Sequence, residues 1–294
     1  MPAPQSSTRL TALITGASSG IGEALAQCFA RDSHRLVLVA RSADKLHALA
    51  DALHAAHGTR VDVLPADLTQ PGAAAALAAT LQRRRRGIDV LVNNAGVLEQ
   101  GAFTAIAAER HQELIALNVA GLTAMLSAFL PGMVRRGRGR VLNVASIAAF
   151  QPVPTLASYA ATKAYVLSLT EALAEEMRGS GVSVGALCPG ITATAMLDRA
   201  AARNGRLGRL PGGVVGRVED VAAAAYRACF NDEVITVPGA LNQAATVASR
   251  AAPSFGFEPR GRNFARQGGY KHCVPCPRWR SPTPHPPATG RVAG

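Results

Sequence analysis

The feature that most constrains this fold is a regular alternation of short β-branched runs with longer segments rich in alanine and leucine. Seven short runs are predicted as strands: residues 12–15, 35–40, 61–65, 90–93, 140–145, 182–188 and 234–237. They are apolar throughout, so helices are expected to cover both faces. Alternation of strands and helices favours a parallel sheet with right-handed crossovers. The predicted fold class is α/β, a doubly wound, seven-stranded parallel sheet of the Rossmann type.

Segments with a helical spacing of apolar residues lie between these strands. Predicted helices cover residues 22–30, 43–57, 73–85, 107–135, 158–179 and 218–230. The longest uncharged apolar stretch, residues 119–134, is interrupted by Gly121, Pro131 and Gly132. It is also shorter than the roughly 20 residues that cross a bilayer. We interpret it as a buried helix and predict no membrane span.

The last part of the chain, residues 253–294, breaks this alternation. It holds eight of the 18 prolines and has neither a helical nor a strand period, which is typical of a disordered extension. We therefore predict one domain over residues 8–252 and a Pro/Arg-rich tail. Cys273, Cys276 and the neighbouring His272 supply at most three ligands, too few for a tetrahedral zinc site, so no metal is expected.

The net charge of +12 is unevenly distributed. Half of it lies in the tail, where seven Lys and Arg residues face only Glu258. The basic runs at residues 83–86 and 135–140 stand near ends of predicted helices, where the helix dipole favours cations. A solvated face explains them more simply than a binding patch. The tail has only Tyr270 and Trp279 as aromatic residues beyond its phenylalanines and no known recognition module, so no nucleic-acid partner is predicted.

The start of the chain and the cysteines bear on location. Residues 1–11 are polar and reach the first strand without an apolar stretch of signal-peptide length, so secretion is not expected. The five cysteines form no regularly spaced framework, which suits a reducing compartment better than a disulfide scaffold. We expect a cytoplasmic protein.

A glycine-rich turn directly follows the first strand and opens a helix. It reads Thr15-Gly16-Ala17-Ser18-Ser19-Gly20-Ile21-Gly22. Gly16 allows the tight turn, Gly20 lets the backbone approach a pyrophosphate, and Gly22 permits close packing of the helix. Free amides at the helix start favour an anion. The strand, turn and helix context indicates a phosphate-binding loop, although such a loop by itself can also be simple turn chemistry.

Further motifs follow in a fixed order: Asn93-Asn94-Ala95-Gly96 after the fourth strand, Ser146 after the fifth, then Tyr159 and Lys163. Together with the glycine turn they resemble the short-chain dehydrogenase/reductase family. The resemblance also takes in Asp67-Leu68, Asn118 and residues 189–192, and covers about residues 8–250. It implies an oxidoreductase that transfers a hydride between a nicotinamide cofactor and a carbonyl or secondary alcohol.

The tip of the second strand bears on the choice of cofactor. NAD enzymes carry a carboxylate there that accepts from the ribose hydroxyls. Ala40 and Arg41 stand at this position, and no acidic residue follows before Asp44. An arginine so placed can hold a 2′-phosphate by charge-assisted hydrogen bonds. NADP(H) is therefore the expected cofactor, with an exposed Arg41 that holds no ligand as the alternative.

The resemblance assigns the other cofactor contacts. Asp67 and Leu68 would border the adenine, residues 94–96 the adenosine ribose, and Thr192 the carboxamide. Lys163 would also hold the nicotinamide ribose. The complete expected set is Thr15, Gly16, Ser18, Ser19, Gly20, Ile21, Gly22, Arg41, Asp67, Leu68, Asn94, Ala95, Gly96, Tyr159, Lys163, Pro189, Gly190 and Thr192.

Tyr159 and Lys163 are expected to form the proton-transfer pair, because residues four apart share one helix face. Lowering a phenol pKa from about 10 to about 7 takes roughly 4 kcal/mol, which Lys163 and the positive nicotinamide can supply. Tyr159 would then act as the general acid or base. Ser146, at a strand end, would hold the substrate oxygen. By resemblance, Asn118 bends its helix and holds a water that links Lys163 to solvent.

The substrate is less constrained. Residues 194–216 are expected to form a lid, in which Met196, Leu197 and Leu210 favour an apolar substrate while four arginines could meet an anion. Residues 236–242 lack the Asp-Gly-Gly turn with which the acyl-carrier-protein reductases of the family end, and this weakens a fatty-acid assignment. The alternative function is a catalytically silent NADP-binding scaffold or regulator, against which the intact Ser146, Tyr159 and Lys163 argue. The resemblance also implies a homo-dimer or homo-tetramer through helices 107–135 and 158–179.

Overall fold

The structure is a computed structural model that describes residues 9–192 and 215–251. In this part of the chain, seven parallel strands form one sheet in the order β3-β2-β1-β4-β5-β6-β7. The strands are β1 (Thr11–Thr15), β2 (Arg35–Val39), β3 (Val61–Val63), β4 (Val90–Asn93), β5 (Gly139–Val144), β6 (Val182–Leu187) and β7 (Ile235–Thr236). The predicted fold class is confirmed. The predicted tail lies outside the described residues, as does nearly all of the predicted lid, and the domain boundary at 252 stays a prediction.

Eight α-helices accompany the sheet in the described residues. They are α1 (Gly20–Arg31), α2 (Ala43–His57), α3 (Ala73–Arg83), α4 (Ala108–Ile115), α5 (Leu122–Arg136), α6 (Ala157–Glu176), α7 (Val218–Phe230) and α8 (Ala240–Ala251). Short 3₁₀ turns cover Phe103–Ala105 and Ile147–Phe150. The helix α8 was not predicted; its residues are mostly small or polar, and only Leu241 and Val247 are large and apolar.

Two hydrophobic layers hold the sheet between the helices. Leu13 and Val37 face the layer that contains buried residues of α3, α5 and α6. Ile14 and Leu36 face the opposite layer, formed with α1, α2 and α7. Successive strand residues therefore enter different layers although all are apolar, which explains why these runs show no polar alternation.

The predicted helix over residues 107–135 is not one regular helix. Residues Ala116–Gly121 form a π-helical turn that joins α4 to α5. Gly121 lies at the close approach of this turn to the loop after β3, where a Cβ atom would be 2.7 Å from the Leu68 carbonyl oxygen. Wide turns of this kind occur often at functional sites, and this one carries Asn118.

The combined segment Ala108–Arg136 is long and apolar enough to cross a membrane by length and composition alone. This segment is longer than the apolar stretch of residues 119–134, from which the sequence predicts a buried helix. Met125, Phe129 and Met133 of α5 are buried in the layer between the sheet and α3. Burial of these side chains agrees with the prediction that this stretch is a buried helix.

The sheet also fixes where a ligand can bind. β1 pairs with β2 on one side and with β4 on the other, so the chain reverses its strand order at β1. In open α/β sheets, a crevice at the carboxyl ends of the strands opens at such a switch point. The turns after β1, β4 and β5 carry the sequence motifs, and the topology therefore brings these motifs to one edge.

Candidate active site

The turn between β1 and α1 has a shape that only glycine tolerates at two positions. Gly16 and Gly20 have φ angles of 64° and 60°, in the left-handed region that favours glycine. A Cβ atom on Gly16 would lie 2.8 Å from the Ala95 Cα atom, and one on Gly22 would lie 2.4 Å from the Gly16 carbonyl oxygen. The glycines thus let the turn, the helix and the end of β4 approach closely. This cradle fits a pyrophosphate above the N-terminus of α1.

Thr15 and Asn94 tie the turn to β4. The Thr15 Oγ1 atom accepts hydrogen bonds from the backbone N–H groups of Asn94 and Ala95, both at 3.0 Å. The Asn94 Nδ2 atom donates to the carbonyl oxygens of Thr15 at 3.0 Å and Gly16 at 3.2 Å. These hydrogen bonds join the turn to the end of β4, so Thr15 and Asn94 stabilise the shape of the turn.

Arg41 and Asp67 lie where the adenosine end of the site was predicted. The Arg41 side chain is 62% exposed, and its Nη1 atom lies 3.7 Å from Glu113 Oε1. Asp67 accepts from the backbone N–H of Thr69 at 3.0 Å and from its hydroxyl at 2.8 Å. These hydrogen bonds, chiefly the backbone one, hold the pKa of Asp67 below its usual value, and Arg41 lowers that pKa further.

Tyr159 and Lys163 lie on the buried face of α6, as predicted. The Lys163 Nζ atom donates to the Val144 carbonyl oxygen at 2.7 Å and lies 5.8 Å from the centre of the Tyr159 ring. Burial lowers the pKa of Lys163 to about 8. Burial raises the pKa of Tyr159 above its usual value, while a hydrogen bond with Ser146 acts in the opposite direction. The protein by itself therefore keeps Tyr159 protonated.

Ser146 begins the 3₁₀ turn that follows β5. Its backbone is extended, with φ at −171°, and its Oγ atom accepts from the Ala148 N–H at 3.1 Å. Ser146 also lowers the pKa of Tyr159, and both side chains line the same cavity. The two hydroxyls can hold one substrate oxygen between them.

Asn118 is 1% exposed and lies in the π-helical turn between α4 and α5. Its Oδ1 atom accepts from the Val97 N–H at 2.9 Å, and its Nδ2 atom donates to the Val97 carbonyl at 3.0 Å and to Thr162 Oγ1 at 3.2 Å. A Cβ atom on Gly96 would lie 3.2 Å from Asn118 Oδ1 and 3.6 Å from Lys163 Nζ. Asn118 and Lys163 therefore both lie close to Gly96.

One cavity of about 580 Å³ joins these groups, a volume usual for a small-molecule site. Most of the predicted site residues line it: Gly16, Ser18, Ser19, Gly20, Ile21, Arg41, Asp67, Leu68, Asn94, Ala95, Gly96, Ser146, Tyr159, Lys163, Pro189, Gly190 and Thr192. Among the described residues, Thr15, Gly22 and Asn118 are predicted members that do not line it and instead support those that do.

A family model described as short chain dehydrogenase matches residues 10–205, which include the glycine turn, Ser146, Tyr159 and Lys163. The chain belongs to the short-chain dehydrogenase family.

Individual proteins agree with this assignment. Oxidoreductase UcpA from Salmonella typhimurium is 38% identical over 192 residues, which are 65% of this short-chain dehydrogenase and 72% of UcpA. The 2-(R)-hydroxypropyl-CoM dehydrogenase from Xanthobacter autotrophicus is 36% identical over 221 residues, 72% of this chain and 88% of the relative. The structure of a short-chain dehydrogenase from Sphingobium yanoikuyae in complex with NADPH is similar with a TM-score of 0.71 and 38% identity, covering 83% of this chain and 96% of that one. These names support an enzyme that acts as an oxidoreductase.

Several cavity residues of this short-chain dehydrogenase were not predicted. Ser42 and Lys45 lie at the start of α2, close to Arg41 in the sequence, and line the cavity. Lys45 follows the tip of β2 by about one helical turn, and this spacing could have indicated a second basic group at the adenosine end. Leu98, Gln100, Gln151, Val153 and Leu156 form other parts of the wall. They come from loops in which neither strand nor helical spacing shows which side chains face inward. The described residues contain no group of three or more possible metal ligands, and Cys273 and Cys276 lie outside them.

Proposed function

We propose that this oxidoreductase transfers a hydride between NADP(H) and a carbonyl or secondary alcohol, with Tyr159 as the general acid or base. The observation that carries the proposal is the convergence of Ser146, Tyr159 and Lys163 on the cavity that also contains the glycine turn. Each of these three side chains is at most 9% exposed. At such a buried site the charge of Lys163 is only weakly screened, so it can act strongly on the Tyr159 hydroxyl.

The residues of this chain would divide the work. Bound NADPH supplies the hydride in reduction. Ser146 would hold the substrate oxygen beside the Tyr159 hydroxyl, which would donate its proton to that oxygen. Lys163, whose pKa is about 8, is mainly an ammonium at neutral pH and would supply positive charge next to the phenol. The Val144 carbonyl oxygen would hold the ammonium in place.

Carbonyl reduction uses Tyr159 in its protonated form, which the raised pKa maintains. A phenol that stays protonated at neutral pH is ready to donate, whereas alcohol oxidation requires the phenolate. Positive charge from oxidised nicotinamide, added to that of Lys163, would lower the phenol pKa in that direction. The proposal therefore expects reduction to run at neutral pH and oxidation to improve at alkaline pH.

NADP(H) is the proposed cofactor because of the basic groups at the tip of β2. Arg41 and Lys45 line the cavity there, and residues 40–42 contain no carboxylate. The exposed Arg41 can turn toward a 2′-phosphate. Binding of NADPH by the Sphingobium yanoikuyae relative supports the same choice.

An apolar substrate remains our proposal for the other end of the cavity. Leu98, Ile147, Val153 and Leu156 supply apolar wall, and the few polar groups include Gln100 and Gln151. A ketone or secondary alcohol with apolar substituents fits such a wall. The predicted lid residues Met196, Leu197 and Leu210 lie outside the described residues.

Assembly and location complete the proposal. We propose a homo-dimer or homo-tetramer through α4, α5 and α6, on which Ile115, Val134 and Tyr165 are each at least 39% exposed. Exposed apolar groups on neighbouring helices support such an interface. A cytoplasmic location agrees with Cys28, Cys188 and Cys229, the described cysteines, which are all buried and form no disulfide with one another.

The test is a screen of ketones, aldehydes and secondary alcohols with NADPH and with NADH, following absorbance of the reduced nicotinamide. Turnover with at least one carbonyl, faster with NADPH, is the expected result. A protein that binds NADPH tightly but turns over nothing in a broad screen would instead favour the silent scaffold or regulator.

A further inference from the structure

Arg41 stands close to two carboxylates, those of Glu113 and Asp67. It lies 3.7 Å from Glu113, and its charge lowers the pKa of Asp67 in addition to the hydrogen bonds from Thr69. At 3.7 Å the contact with Glu113 is an ion pair without a hydrogen bond. The Arg41 side chain is 62% exposed. It is therefore free to turn toward a ligand without breaking a strong bond.

Glu113 is held more firmly. Its Oε2 atom accepts a hydrogen bond from Arg110 Nη1. Arg110 in turn donates to Glu99 Oε1 from Nε at 3.0 Å and from Nη2 at 2.5 Å. The Glu99 side chain is only 7% exposed, so it needs the Arg110 charge beside it. This arrangement anchors the Glu113 carboxylate next to Arg41 whether or not Arg41 moves.

A 2′-phosphate bound by Arg41 would share that guanidinium with Glu113. NADH has a neutral hydroxyl at the same position and is not repelled. We propose that Glu113 is a specificity-determining residue that limits the preference of this enzyme for NADPH over NADH. The inference rests on the proposed use of NADP(H) and adds a residue that opposes Arg41.

Two effects of Glu113 have opposite signs. Its pairing with Arg41 restrains the guanidinium, which would favour phosphate binding, and its charge repels the phosphate. An exposed pair without a hydrogen bond restrains a side chain little, whereas like charges repel in every orientation of Arg41. Repulsion therefore decides the sign. Solvent screening limits the effect on the affinity ratio to about two- to fivefold.

The experiment compares ADP-ribose with 2′-phospho-ADP-ribose, which differ only in the phosphate and need no turnover. Calorimetric titration would give both affinities for the wild type, Arg41→Ala, Glu113→Gln and Glu109→Gln. Glutamine at position 113 keeps an acceptor for Arg110. Glu109 lies exposed on the same helix, so Glu109→Gln is the matched loss of charge.

Glu113→Gln should raise the preference for the phosphorylated ligand by about two- to fivefold, with a larger gain at low salt. Glu109→Gln should leave that preference unchanged. An unchanged or lower preference in Glu113→Gln, while Arg41→Ala still abolishes the wild-type preference, would overturn the role of Glu113 and leave the proposed cofactor standing. Equal wild-type affinities for the two ligands would instead refute the NADP(H) proposal, and this inference with it.

Discussion

The two ends of the cavity hold their charged groups in opposite ways. At the catalytic end, Tyr159 and Lys163 are 9% and 5% exposed, and burial shifts both pKa values. At the adenosine end, Arg41 is 62% exposed and its nearest ion-pair partner is 3.7 Å away. Because buried charges are screened far less than exposed ones, substitutions at the catalytic end should have large effects on chemistry. Those at the adenosine end should have smaller effects, confined to binding.

Tyr159→Phe tests the catalytic end most directly and should have the largest effect. Removal of the proton donor should lower turnover by on the order of 10² or more, with little change in NADPH affinity. Tyr165→Phe is the control, since Tyr165 lies on the same helix, is 39% exposed and bonds Thr123 outside the cavity. Stopped-flow turnover and fluorescence titration with NADPH would separate the two quantities. Retention of more than about a tenth of wild-type turnover in Tyr159→Phe would assign the proton to another residue.

Lys163→Ala should damage both chemistry and binding. Without the ammonium, the pH–rate profile for alcohol oxidation should shift to alkaline pH and NADPH affinity should fall by about tenfold, the value of one charged hydrogen bond. In the wild type, Lys163 loses its proton as pH rises through about 8. NADPH affinity should therefore weaken above that pH. Lys163→Arg, which keeps the charge, should bind NADPH without this dependence; the same alkaline weakening in Lys163→Arg would trace it to a different group.

Arg41→Ala should change the choice of cofactor and leave the chemical step intact. A hydrogen-bonded charge contributes about 1.5 to 3 kcal/mol, and the exposure of Arg41 places the expected loss of NADPH preference near the lower limit, about tenfold. Dissociation constants for NADPH and NADH would give the ratio. If the ratio stays at its wild-type value, the phosphate is held by other groups, of which Lys45 is the first candidate.

His34 extends the comparison to a buried titratable group at the opposite edge of the sheet. It is 4% exposed, its Nδ1 atom accepts from the Leu10 N–H at 3.3 Å, and burial lowers its pKa below 6.5. The unfolded chain therefore takes up a proton first as pH falls below about 6.5. Above that pH, protonation of His34 should have no effect on the free energy of unfolding. Below it, the free energy of unfolding should decline by at most about 1.4 kcal/mol per pH unit.

Urea unfolding of the wild type and His34→Gln at pH 7.5 and 5.5 would measure this decline. The wild type should lose more stability than His34→Gln between the two values. The exposed His57 supplies the control, because His57→Gln should retain the wild-type decline. Parallel losses in wild type and His34→Gln would show that other groups cause the acid sensitivity.

The sheet and the placement of Tyr159 and Lys163 on one helix face could be predicted from the sequence because both depend on local chemistry. Apolar strand runs, glycine spacing and the four-residue step from Tyr159 to Lys163 leave a direct trace in the sequence. The sequence did not predict α8, whose residues are mostly small or polar with only Leu241 and Val247 large and apolar. Nor did it indicate Leu156 in the cavity wall or the pairing of Arg41 with Glu113. Those contacts join segments far apart in the chain, and they depend on how loops and helices meet in three dimensions.

The π turn at Ala116–Gly121 makes chain length a functional variable in this segment. A π turn accommodates one residue more than an α turn, so deletion of one residue there could restore a regular helix while both flanking faces keep their packing. Asn118 would then lose its register with Val97 and Thr162. Deletion of one residue at this point should therefore spare the packing of α4 and α5 while it removes Asn118 from its hydrogen bonds.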